Sequence, residues 1–209
     1  MKKVEPVLEQ FVEDSCPGSM NYEEYQELIA KVHAEDKTTG DNQSDMYVEY
    51  SKLNEHRMRR LNKTIRLNAS LVDRIKSIAE EQLWLVITEA WCGDAAQNLP
   101  IVVKMAEVND KIQLRLILRD EHPEIMNLYL TNGGKSIPKL IAIDTDNNEL
   151  FHWGPRPEPM QKIVVDYHNS PEPKAPHSEY VLEVQKWYNA DKTHTIQNEL
   201  ESILSKNLS

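Results

Sequence analysis

The sequence predicts a mixed α/β fold: a central sheet of about four strands flanked by helices, with an N-terminal helical extension and a C-terminal helix. Three observations carry this. At residue 83 the apolar spacing changes from the three-to-four-residue repeat of amphipathic helices to short apolar runs. From there the order is strand, helix, strand, then a short helix and two more strands. The last two strands are separated by DTDNN, short enough for a hairpin, which makes them antiparallel.

Each element has its own signal. VEPVLEQFVED is a short amphipathic segment, and SCPGS breaks it. In NYEEYQELIAKVHAED the apolar positions Tyr22, Tyr25, Leu28, Ile29 and Val32 make a helical stripe. The polar run KTTGDNQSD is a loop, residues 46–65 form a longer helix, and SLVDRIKSIAEE forms another with Asn68 or Ser70 as N-cap. LWLVIT (83–88) is a continuous apolar run, as in a strand covered on both faces. After a helical stretch, KIQLRLIL (111–118) alternates as a second strand. A short helix around 123–131 precedes strands at 139–143 and 149–153, and residues 158–168 read as helical. NSPEPKAP is a proline-rich linker, and 177–206 is a terminal helical region that breaks near Asn189–Asp191. The chain therefore divides into a helical extension (1–80) packed on the core, an α/β domain (81–169), and a linker with a C-terminal helix (170–209).

Of the 209 residues, 40% are hydrophobic and 28% charged, an ordinary soluble balance. The net charge of −10 repels phosphates, which argues against nucleic-acid and anionic-membrane partners. No apolar run approaches the roughly 20 residues of a membrane span. The start, MKKVEPVLEQFVED, lacks the apolar core of a signal peptide, so the expected location is cytoplasmic. Two cysteines, Cys16 and Cys92, are too few for a disulfide framework. The seven histidines show no metal spacing, so neither a metal site nor a cofactor is expected.

The chemistry concentrates in EAWCGDAAQNLP, where Cys92 follows the first strand and opens a helix. Unpaired N–H groups and the helix dipole favour negative charge there, and thiolate is the form that attacks disulfides. The plain alternative is a buried cysteine acting as a small hydrophobe.

Trp91-Cys92-Gly93-Asp94-Ala95 resembles the thioredoxin active-site signature, tryptophan-cysteine-glycine-proline-cysteine. Pro100 falls eight positions after Cys92, where thioredoxins carry the proline that kinks the active-site helix. Ile137-Pro138 resembles the isoleucine–cis-proline pair that faces the cysteine across the substrate groove. Gly154, sixteen residues later, matches the groove glycine at the end of the last strand. The resemblance covers roughly 82–169 and is closest to bacterial thioredoxin-like proteins with a WCGDA-type motif. It implies a thioredoxin-like three-layer fold. It also implies a cis bond before Pro138, which would hold the Ile137 backbone outward for an extended peptide. A trans proline starting an edge strand is the alternative.

The departures matter as much. Ala95 replaces the second cysteine, so no neighbour can resolve a mixed disulfide on Cys92. Val86 stands where thioredoxins place a buried aspartate. Asp94 either satisfies N–H groups at the helix start or tunes Cys92, its charge opposing thiolate and partly cancelling the helix effect; the net sign stays open. Cys16 could resolve Cys92 only within about 7 Å between Cα atoms, a distance sequence does not give.

KLNEHRMRRLNKTIR (52–66) is a basic island in an acidic chain. Arg57, Arg60 and Lys63 share one helical face, either as a solvated surface or as an anion clamp for the carboxylate of a small thiol. Arg156, after the groove glycine, is a second clamp candidate. Trp84, Trp153 and Trp187 read as packing residues, Trp91 as a shield for the sulfur, and His152 as structural rather than a base.

The expected function is monothiol redox chemistry, without cofactor. Cys92 attacks a protein disulfide or small-thiol mixed disulfide, and a low-molecular-weight thiol later releases it. Trp91 and Gly93 present the sulfur, and Ile137, Pro138 and Gly154 shape the groove. The alternative is a non-catalytic thioredoxin-fold module that binds a peptide or protein partner.

Overall fold

The computed structural model describes residues 2–12 and 18–207. Helices α1 (Pro6–Val12), α2 (Tyr22–Ala34), α3 (Asp45–Thr64) and α4 (Ala69–Lys76) precede the main sheet strands. The α/β core follows as β2 (Gln82–Thr88), α5 (Gly93–Ala106), β3 (Ile112–Leu118), α6 (Pro123–Met126), β4 (Lys139–Asp144) and β5 (Asn148–Trp153). Three helices close the chain: α7 (Glu158–Asn169), α8 (His177–Asp191) and α9 (His194–Asn207).

Among the described residues the sheet has five strands rather than about four. The addition is β1 (Lys2–Lys3), which pairs antiparallel with β5; two residues carry no readable periodicity. The order is β1-β5-β4-β2-β3, with β2 and β3 parallel and β4 antiparallel to both β2 and β5. The crossover from β2 to β3 runs through α5, as a parallel pair requires. The expected hairpin is present, with Leu140 opposite Trp153.

Every residue of β2 is buried because both faces of this central strand are covered. Trp84 and Val86 point into one core with Leu71, Ile75, Leu99, Met105 and Leu200 from the helices. Leu83, Leu85 and Ile87 point the other way, onto Leu8 and Phe11 of α1 and Ile125 of α6. This two-residue alternation makes the three layers.

The flanking helices follow their sequence logic. Asn21 and Glu24 form a capping box at α2, with reciprocal bonds of 2.9 and 2.7 Å. On α3 the buried residues Val48, Ser51, Asn54, Met58 and Leu61 recur every three or four positions. Asn68 is the N-cap residue of α4, although its side chain makes no cap hydrogen bond. The expected break in the C-terminal helix falls at Lys192, in the left-handed conformation at φ +50°. The helix expected over 123–131 stops at Met126. No helix among the described residues is long and apolar enough to cross a membrane.

Candidate functional site

Strand β2 ends at Thr88, and Glu89–Trp91 carry the chain over the sheet edge into α5. Cys92 is the N-cap residue of that helix: its Sγ accepts the Ala95 N–H at 3.4 Å. It also lies 3.3 Å from the Ile137 carbonyl oxygen, as a thiol donating to it. The Ile137–Pro138 peptide is cis. Behind Pro138, Gly154 sits at φ +117°, and a Cβ there would lie 2.2 Å from the Pro138 carbonyl oxygen. Only glycine fits that contact.

Cys92 is 8% exposed and lines a cavity of about 480 Å³. Trp91, Gly93, Asp94, Ser136, Ile137 and Arg156 form its base and rim. Two walls come from far along the chain: Tyr47, Tyr50 and Arg57 of α3, and His177, Tyr180 and Val184 of α8. Pro138 and Gly154 do not line this cavity; they back the Ile137 segment from behind.

The electrostatics settle the sign that sequence left open. The helix start does favour thiolate, through the Ala95 N–H on sulfur, but burial and then the Asp94 carboxylate outweigh it. The Cys92 thiol is pushed up to about 12, so at neutral pH it is protonated at rest. The Asp94 carboxylate turns away from the helix start, whose N-cap is Cys92, to partners elsewhere in the chain. Its Oδ2 takes the Arg156 guanidinium at 2.6 and 2.8 Å, and its Oδ1 accepts from the Tyr188 hydroxyl at 2.7 Å. Asn98 donates to the same hydroxyl at 3.2 Å. Burial works against charge on Arg156, but Asp94 more than offsets it and holds the guanidinium's pKa up.

The three arginines of the clamp candidates are placed differently. Arg57 faces the cavity, its Nη1 bonded to Asn54 Oδ1 at 2.7 Å. Arg60 is exposed and reaches instead toward Asn189 Oδ1 at 3.4 Å, beside a separate cavity. Arg156 is at the rim but committed to Asp94. His152 pairs with Glu149 at 2.6 Å and is absent from the cavity that holds Cys92. Trp84 and Trp153 are core residues, whereas Trp91 packs on Tyr47 with centroids 5.0 Å apart and carries Arg119 at 4.5 Å over its ring. Cys16 lies outside the described residues.

One group went unassigned in the sequence although it stands three positions before the cysteine. Glu89 is fully buried, and burial pushes its carboxyl up to about 7 against the bonds from Thr39 and the Asp120 N–H. Its Oε2 and the Trp91 Nε1 have no hydrogen-bond partner among the described residues. Both point at Gly40, where a Cβ would lie 3.2 and 3.1 Å from them. The available signal was a carboxylate placed directly after a mostly apolar strand. No group of three or more His, Cys, Asp and Glu side chains among the described residues could hold a metal ion.

A family model described as thioredoxin matches residues 40–172, more than half of the chain. The chain belongs to the thioredoxin family. The matched region begins ahead of α3, so the helix that supplies one cavity wall lies within it. Two solved structures are similar. A protein of unknown function from Pseudomonas aeruginosa is 18% identical at a TM-score of 0.52, covering 76% of this chain and 85% of its own. An HIV epitope-scaffold is 16% identical at a TM-score of 0.52, covering 90% and 99%. At these identities the likeness concerns the fold alone. The comparison with curated proteins found no match.

Proposed function

We propose that this thioredoxin-family protein is a cytoplasmic monothiol exchange protein whose nucleophile is Cys92. The observation that supports this reading most is the position of Sγ: it lines a 480 Å³ cavity, beside the Ile137 carbonyl and the cis-proline segment, with alanine at the resolving position. In the proposed step the Cys92 sulfur attacks one sulfur of a disulfide, whether a protein disulfide or a small-thiol mixed disulfide. A new S–S bond forms, the old one breaks, and the departing thiolate takes up the proton that Cys92 gives up. Ala95 cannot attack the product, so a low-molecular-weight thiol from solution completes the second exchange.

The proton on Cys92 sets the pace of this chemistry. Asp94 opposes its loss, while Arg156 and the Ala95 N–H favour it. A second reading, a non-catalytic binding module that uses the same cavity for a peptide or protein partner, draws support from the same protonated, largely buried thiol.

Alkylation rate against pH, with mixed-disulfide turnover in the wild type and Cys92→Ser, separates the two. The exchange reading expects Cys92-dependent turnover and a covalent adduct in the mass spectrum of protein purified without reductant. A thiol that resists alkylation in the folded state, with no turnover, would leave the binding module.

A further inference from the structure

We infer that the disulfide taken by Cys92 is a small one bearing a carboxylate, and that Arg57 is the residue that receives this charge. The inference rests on the reading of Cys92 as an exchange nucleophile and adds its substrate class. Cavity size comes first. About 480 Å³ between α3 and α8 is the volume of a small-molecule site.

Charge comes next. Four cations line the cavity, and two are committed: Arg156 to Asp94, and Arg119 to Asp120 at 2.8 Å. Arg57 and Lys135 have no carboxylate at ion-pair distance among the described residues. Asp94, the one carboxylate on the lining among the described residues, is already met by Arg156 and the Tyr188 hydroxyl. The uncompensated charge of the cavity is therefore positive, within a chain whose net charge is −10.

Arg57 is also pre-organised. Asn54 is fully buried and fixed by its own amide bond to the Ala90 carbonyl at 2.9 Å. Its Oδ1 holds one arm of the guanidinium, and the other donors, unpartnered among the described residues, face a ligand's space. Nη1 lies 3.9 Å from where a Cβ of Gly93 would sit, so the cation stands over the residue next to the nucleophile. Burial and the neighbouring Arg60 pull the guanidinium's pKa down, and a bound carboxylate would reverse that. Tyr47 and Trp91 offer an aromatic wall for the ligand's body.

The test compares two aromatic disulfides of similar size, dithiobis-nitrobenzoate with its carboxylates and the neutral dithiodipyridine, on wild type, Arg57→Gln, Arg57→Lys and Cys92→Ser. The expected result is that Arg57→Gln slows the carboxylate reagent roughly tenfold or more, as loss of a charge-assisted hydrogen bond does, with the neutral reagent within about twofold. Arg57→Lys keeps the charge and should retain most of the preference. A carboxylate-to-neutral rate ratio that Arg57→Gln leaves unchanged overturns the inference while the exchange reading stands. If neither reagent modifies Cys92 of the folded wild type, the exchange reading itself falls. If Arg57→Gln does not fold, the wild-type ratio against ionic strength decides: it must fall as salt rises, and a flat ratio overturns the inference.

Discussion

Two acids flank Trp91, and the fold treats their surroundings in opposite ways. On one side Glu89 is sealed under the Thr38–Asp41 segment, with Asp120 and Gly40 against it. On the other side Cys92 opens onto the cavity between α3 and α8. Burial raises the pKa of both groups, the carboxyl to about 7 and the thiol to about 12. The same physical term thus acts on two groups a few residues apart, but only one has a route to a ligand. The sealed acid bears on stability, and the open one is the group to which the proposed exchange assigns the chemistry.

The largest expected effect concerns the sealed side. Glu89 has a folded-state pKa above its unfolded value, so its contribution is fully present below about pH 4.5 and is lost as pH rises through 7. Wild type should lose about 3 kcal/mol of folding stability from this group between pH 4.5 and 8, an upper figure from the shift. Glu89→Gln, which cannot ionise, should lack that decline in denaturant titrations at the two pH values. Equal pH dependence in both proteins would break the comparison.

Next comes a pair of glycine substitutions. Gly40→Ala puts a Cβ 2.5 Å from Asp120 Oδ2 and against Glu89 and Trp91, at φ +78°, and should cost on the order of 2 kcal/mol. Gly93→Ala meets only Arg57 Nη1 at 3.9 Å, so its effect should stay within roughly 1 kcal/mol and tend to stabilise the helix. Thermal unfolding of the two variants checks the contrast; equal losses would mean that the cavity side is as tightly closed as the other.

On the open side, Asp94→Asn removes the charge that most opposes thiolate after burial itself, and leaves Arg156 without its counter-ion. Alkylation of Cys92 at pH 7 should quicken roughly tenfold, one pKa unit's worth, with the pH profile displaced downward. An unmoved profile would show that burial alone governs the sulfur. The smallest change is Tyr188→Phe, which removes the hydroxyl that donates to Asp94 and accepts from Asn98, and should cost about 1 kcal/mol of stability in denaturant titration.

The strands at 83–88, 111–118, 139–143 and 149–153 were legible to within a residue or two, because apolar period and turn residues act over short distances. β1 was not, since its two residues are set by pairing with β5 rather than by any pattern of their own. Trp91–Ala95, Ile137, Pro138 and Gly154 were singled out by motif and spacing as candidates, and in the structure Cys92 and Ile137 are joined by a hydrogen bond. Arg57 was singled out together with Arg60, yet only the packing of α3 separates the one at the cavity from the one outside it.

What the sequence determined by itself was the order of the α/β elements, the place of the sulfur at a strand-to-helix turn, and the alanine that stands where a neighbouring resolving cysteine would be. These are properties of neighbouring residues, fixed by side-chain periodicity and covalent spacing. Tertiary structure alone decided that α8 brings Tyr188 onto Asp94 from 94 positions away, that Glu89 is closed in, and that the thiol holds its proton. Desolvation and charge depend on which distant segments exclude water, and no local pattern encodes that.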